Sequence, residues 1–124
     1  MLPDLFTKLE EILEAGCQKH LEAGGTIIYG LFYDKEKGCC PVWASISSID
    51  PKELEELKTT SIVDRAHYGL NKVLGFKISQ VDMLGFVNGF CGVKNYGSDK
   101  MVYNLGQKFR EKYIKEEAPD EDQI

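Results

Sequence analysis

The sequence predicts a mainly α fold, bordering on the α+β class, with about five helices and one inserted β-hairpin. Apolar residues recur at three- and four-residue spacing over most of the 124 residues, as amphipathic helices require. One early stretch is instead rich in β-branched and aromatic residues, which is typical of strands. With 43% apolar and 28% charged residues, the chain has enough apolar side chains to build the core of one domain.

The first helix is predicted over residues 3–23. Pro3 suits the first helical position, and Asp4 favours the positive end of the helix dipole. Gly24-Gly25 ends the helix. The predicted buried stripe comprises Leu5, Leu9, Ile12, Leu13 and Cys17.

The hairpin is predicted from two strands, roughly 26–33 and 40–47, which flank the polar turn 34–38. Pro41 cannot donate a ladder hydrogen bond, so we place it at the start of the second strand or on an edge. A lone hairpin is barely stable in water, and an exposed apolar edge invites pairing. We therefore expect a homodimer in which two hairpins join.

Four more helices are predicted over residues 51–58, 62–74, 80–90 and 99–115. Gly75 ends the second of these, and Ser79 caps the next with Asp82 as its capping-box partner. Residues 1–115 are thus predicted to form a single globular domain. Residues 116–124 are acidic and contain a proline, which predicts a disordered tail.

Charge is distributed unevenly. Residues 1–60 carry 6 Lys/Arg and 11 Asp/Glu, and residues 61–115 carry 9 and 4, while 116–124 carry five acids and no base. Such asymmetry favours electrostatic pairing within the chain, with a second copy or with a protein partner. Acidic residues interrupt any early apolar run, and no apolar run is long enough for a bilayer. We expect a cytoplasmic protein with reduced thiols and no membrane contact.

Four residues could assemble a thiol-based metal or redox site: Cys17, His20, Cys39 and Cys40. Cys17 and His20 lie three apart on the first helix, so their side chains share a face. The paired CxxC spacing that makes zinc sites recognisable is absent from the sequence. Cysteine also packs readily as a small apolar residue, so we favour core packing and expect no cofactor.

Residues 62–90 have the outline of a helix-turn-helix unit, which gives nucleic-acid binding as an alternative function. Lys72, Lys77 and Gln80 would then contact the nucleic acid. The second helix weakens this interpretation, because Asp82 lies near its start and most of its residues are apolar.

Gly85 and Gly89, four apart in that same helix, would make a flat face that another backbone can approach. A glycine inside a helix costs about 1 kcal/mol relative to alanine, so the pair needs a packing reason. We interpret Trp43, Gly85, Gly89 and Phe90 as the candidate contact surface. The sequence therefore predicts a small cytoplasmic interaction or regulatory domain without catalytic activity that acts as a homodimer. The nucleic-acid and thiol functions remain the alternatives.

Overall fold

The computed structural model describes residues 3–29, 33–34, 38–47, 49, 52, 61–93 and 100–114. The described residues are mainly helical with one short strand pair, which confirms the predicted fold class. The elements are α1 (Pro3–Glu22), β1 (Tyr33–Asp34), β2 (Gly38–Cys39), α2 (Pro41–Ser45), α3 (Ile62–Leu74), α4 (Gln80–Cys91) and α5 (Lys100–Tyr113). The predicted helix over 51–58 and the predicted tail over 116–124 lie outside the described residues, apart from Lys52.

Local capping explains where α3 and α4 begin and end. The backbone N–H of Asp82 donates to Ser79 Oγ at 3.0 Å, as the sequence predicts. Ser61 caps α3 in the same way, which the sequence analysis missed. Gly75 and Gly92 end the two helices in the left-handed conformation, each with φ 79°. The bounds of these helices therefore follow from residues that the sequence already displays.

The predicted second strand over 40–47 is wrong, because residues 41–45 form the short helix α2. Pro41 occupies the first turn of that helix, where its missing N–H is no loss, and extended Cys40 is the N-cap. From residue 42 to residue 47, buried residues do alternate with more exposed neighbours, as expected for a strand. A five-residue helix is too short for its periodicity to be told from that of a strand.

The strand pair is much shorter than predicted. Tyr33 pairs with Cys39 and Asp34 with Gly38 in antiparallel register, and Ile27 forms one parallel bridge to Cys39. Residues 30–32 of the predicted first strand lie outside the described residues. The long apolar edge on which the dimer prediction depended is therefore absent from the described strands.

Helix α2 packs closely on α1 at a glycine. A Cβ added to Gly16 would collide with the backbone of Ser45, so only glycine lets the two helices approach this far. Val42, Ala44 and Ile46 are buried in the core on this side of the molecule. This packing joins α1 and α2, and α2 in turn contacts α3.

The most extensive contact joins α4 to α5, and it too depends on glycines. A Cβ on Gly89 would overlap the carbonyl oxygen of Tyr103, and one on Gly106 would overlap that of Phe86. The two backbones therefore touch at this crossing. Beside it, the Phe86 ring meets the Phe109 ring edge-to-face, with centroids 5.4 Å apart.

We expect Gly89→Ala to lower the free energy of unfolding by at least ~3 kcal/mol, because neither backbone can move away without separating the helices. Gly69→Ala is the matched control, since a Cβ there would meet only the methyl groups of Ile46, at 3.0 and 3.1 Å. The gain in helix propensity offsets that contact, so its effect should stay within ~1 kcal/mol. Urea denaturation followed by circular dichroism measures both. Equal effects would contradict the backbone contact.

Candidate functional site

The thiol candidates lie where α1 meets the strand pair. Cys17, Cys39 and Cys40 are all buried. His20 Nε2 lies 3.1 Å from the carbonyl oxygen of Thr26 and 3.6 Å from Cys39 Sγ. Because a carbonyl oxygen can only accept, Nε2 carries the proton and donates to Thr26. The structure therefore places His20 beside Cys39, but the imidazole Nε2 donates its hydrogen bond to the carbonyl oxygen of Thr26.

Among the described residues, which include every histidine and cysteine, no three His, Cys, Asp or Glu side chains are grouped so that they could hold a metal ion. Burial raises the pKa of Cys39 to about 11 and that of Cys40 to about 12. Burial and the carboxylate of Glu14 also raise the pKa of Cys17. At neutral pH these thiols are protonated, and the neutral thiol is a weak nucleophile and metal ligand.

The residues predicted as the contact surface, Trp43, Gly85, Gly89 and Phe90, lie largely within the single chain. Gly85, Gly89 and Phe90 are buried, and Gly89 faces α5 of the same chain. Trp43 is partly buried and packs against the core. Gly89 thus serves packing between two helices of the same chain.

The structure of residues 62–90 also differs from the helix-turn-helix geometry that the sequence suggested. After Gly75 the chain runs back along α3: the Ile78 N–H donates to Asn71 Oδ1 at 2.9 Å, and the Ile78 oxygen accepts from His67 Nε2 at 2.6 Å. Gln80 then donates to Asp64 Oδ1 at 2.7 Å. Helix α4, which would have to enter a DNA groove, has no Lys or Arg, and five of its twelve residues are buried.

This return of the chain creates an open groove of about 480 Å³ at the C-terminal end of α3. Its lining residues are Tyr68, Asn71, Lys72, Gly75, Phe76 and Lys77. None of these described lining residues is acidic. The groove therefore contains two of the lysines predicted for nucleic-acid contact, Lys72 and Lys77, while Gln80 lies outside it.

Two lysines lie over the aromatic rings of the groove. The ammonium of Lys72 is 5.9 Å from the centroid of the Tyr68 ring, and that of Lys8, on α1, is 5.8 Å from the centroid of Phe76. Tyr68 is 38% exposed, which is unusual for so large a ring. The groove thus combines Lys72 and Lys77 with two aromatic rings, and Lys8 lies over one of these rings.

Arg65 extends the basic character of α3, because it lies one turn before Tyr68. Its Nε is buried and has no hydrogen-bond partner in the part of the chain that the structure describes. A buried, unsatisfied donor is costly.

A second groove, of about 510 Å³, lies between α1 and α5, but its charges are already paired. Lys108 Nζ lies 2.8 Å from Glu10 Oε2, and Lys112 pairs with Glu14. The Tyr113 hydroxyl donates to Glu14 at 2.6 Å. Burial alone would raise the pKa of Glu14, but the hydrogen bonds from Lys112 and Tyr113 outweigh it and lower the pKa. This groove is a structural seam between two helices.

Sequence reasoning missed Lys8, Tyr68 and Phe76 as site residues. A weak signal exists for Tyr68, which precedes Lys72 by four residues on the exposed side of α3. No signal connects Lys8 to Phe76, because they are 68 residues apart and meet only in the folded chain.

Comparison with protein-family models, curated proteins and solved structures finds no match to this chain. Its function has to be argued from its own residues. None of the described helices is long and apolar enough to cross a lipid bilayer.

The buried thiols predict a pattern of alkylation. In the folded chain at neutral pH, iodoacetamide should modify partly exposed Cys91 first, and Cys39 and Cys40 only after unfolding. Peptide mass spectrometry with and without urea measures this order. Rapid native alkylation of Cys39 would contradict burial and restore the thiol alternative.

The raised pKa values of Cys39 and Cys40 also affect how stability depends on pH. Because these pKa values lie above the usual 9.0, the two thiols stabilise the fold below about pH 9, and this stability is lost as the pH rises through about 11 and 12.

Proposed function

We propose that this chain is a small binding domain without catalytic activity, and that its binding site is the groove at the C-terminal end of α3. The groove would take an anionic partner. The observation that carries the proposal is a groove lined by Lys72, Lys77 and two aromatic rings, with no acidic residue among its described lining. Lys8 lies over one of these rings. Ammonium groups held together around an apolar pocket raise the local concentration of anions.

The described histidines and two of the buried cysteines have structural roles, which is consistent with a binding domain. His20 and His67 donate from Nε2 to backbone carbonyl oxygens of Thr26 and Ile78. The buried thiols of Cys39 and Cys40 have raised pKa values. A general base or nucleophile needs the opposite, a group directed into an open site with a pKa near neutrality.

The groove is a better candidate than the seam between α1 and α5. In the seam, each of Lys108 and Lys112 is within hydrogen-bonding distance of a glutamate. An incoming anion would compete there with carboxylates that the fold already holds in place. At the α3 groove, Lys72 and Lys8 lie over aromatic rings, and Lys72 is in the last turn of α3, near the negative end of the helix dipole.

The homodimer and the cytoplasmic location remain predictions, and the proposed binding at the groove depends on neither. Exposed apolar side chains that a second copy could cover include Val81, Val93 and Met101, which are 53%, 48% and 44% exposed. Such residues are also normal on monomers when they are scattered singly.

We expect Lys72→Gln combined with Lys77→Gln to weaken binding of inorganic polyphosphate about tenfold, because each lost charge contact near a surface contributes up to ~1 kcal/mol. Lys19→Gln combined with Lys108→Gln removes the same charge outside the groove and should change binding little. Isothermal titration calorimetry measures affinity, and amide chemical shifts locate the site. Equal weakening by both pairs would show that net charge alone governs binding and would refute the groove.

The predicted homodimer is tested by native mass spectrometry of the untagged protein, purified without chelator under reducing conditions. We expect a species of twice the 14.0 kDa chain mass without additional bound mass. A species at the single-chain mass across the accessible concentrations would refute the dimer and leave the groove proposal intact. Extra mass of a metal ion would instead revive the thiol alternative, with Cys39 and Cys40 as the residues to replace.

A further inference from the structure

We propose that the anion bound in the α3 groove is single-stranded nucleic acid, with a base on the Tyr68 ring and backbone phosphates at the surrounding lysines. This inference rests on the proposed function and names its ligand. It replaces the helix-turn-helix mode, in which α4 would have entered duplex DNA.

The aromatic rings distinguish this ligand from other anions. Proteins that bind single strands combine a basic groove with aromatic side chains on which bases stack, because every base has a flat π face. Tyr68 is 38% exposed at the groove, and Phe76 forms part of the wall. A purely acidic peptide would need the lysines but would gain nothing specific from two rings.

The lysines stand at the distance that stacking requires. Lys72 Nζ lies over the Tyr68 ring, 5.9 Å from its centroid, so a base that replaces it on the ring leaves the ammonium beside the stack, where a phosphate can contact it. Lys8 Nζ, on α1, lies 5.8 Å from the Phe76 centroid. Lys77 adds a cation to the lining of the groove. Each of the two rings therefore has one lysine ammonium close to it.

The volume and position of the groove favour a single strand over a duplex. About 480 Å³ lies within the roughly 300–1,000 Å³ typical of pockets that hold a small organic group, and an unpaired base is such a group. A duplex keeps its bases stacked inside and would offer the rings only its backbone.

The experiment is fluorescence anisotropy with three labelled probes: oligothymidylate, the corresponding duplex and oligoglutamate of equal charge. We expect oligothymidylate to bind more tightly than either of the others. Tyr68→Leu keeps an apolar side chain but removes the ring, and should weaken oligothymidylate binding roughly five- to hundredfold, with no effect on oligoglutamate. Tyr68→Phe, which keeps the ring, should bind like the unchanged protein. Circular dichroism confirms that each variant is folded.

Salt dependence provides an independent readout. The pair Lys72→Gln and Lys77→Gln should reduce the slope of log affinity against log salt for oligothymidylate by about 1.4, since each phosphate contact on a single strand contributes about 0.7. The pair Lys19→Gln and Lys108→Gln should leave the slope unchanged.

The outcomes separate the two proposals. Equal affinity for oligothymidylate and oligoglutamate, equal affinity for the duplex, or no effect of Tyr68→Leu would overturn the nucleic-acid inference and leave an anion-binding groove. Failure of all probes to bind, or binding that the Lys72 and Lys77 variants do not change, would overturn the proposed function as well.

Discussion

The glycine contact between α4 and α5 is the constraint on which the rest of the molecule depends. With no Cβ at Gly89 or Gly106, the two backbones come into contact, and Phe86, Phe90 and Phe109 fill the space beside the crossing. Any larger side chain would push the helices apart and open that aromatic cluster. The cost of glycine inside a helix, about 1 kcal/mol relative to alanine, is thus offset by burial of three rings.

The other helices pack outward from this crossing, each one on the helix before it. Helix α5 meets α1 through the Tyr113–Glu14 hydrogen bond and the Lys108–Glu10 ion pair. Helix α1 in turn holds α2 at Gly16, where the Ser45 backbone leaves no room for a side chain. The basic second half of the chain therefore docks partly on the acidic first half, as the uneven charge distribution predicts for pairing within the chain.

Polar side chains position the connections, and in doing so they create the candidate site. Asn71 and His67 hold Ile78 against α3, so the segment after Gly75 folds back instead of leading directly into a second exposed helix. This return places Phe76 and Lys77 beside Tyr68 and Lys72. Without these two hydrogen bonds, the lysines would be separate charges on the surface and the groove would not exist.

The sequence by itself determined the helix bounds, because caps and apolar spacing act within one or two turns: Ser79 and Gly75 are examples. Only the tertiary structure decided that residues 41–45 are helical, because five residues are too few for helical spacing to be told from strand alternation. It also decided that Gly89 faces α5, because a glycine face does not by itself specify which helix packs on it. For the site, Lys72 and Lys77 could be named from the sequence, whereas Lys8 and Phe76 could not. Lys8 and Phe76 come together only because distant segments pack in the folded chain. No local sequence pattern predicts which helix face will pack against which segment.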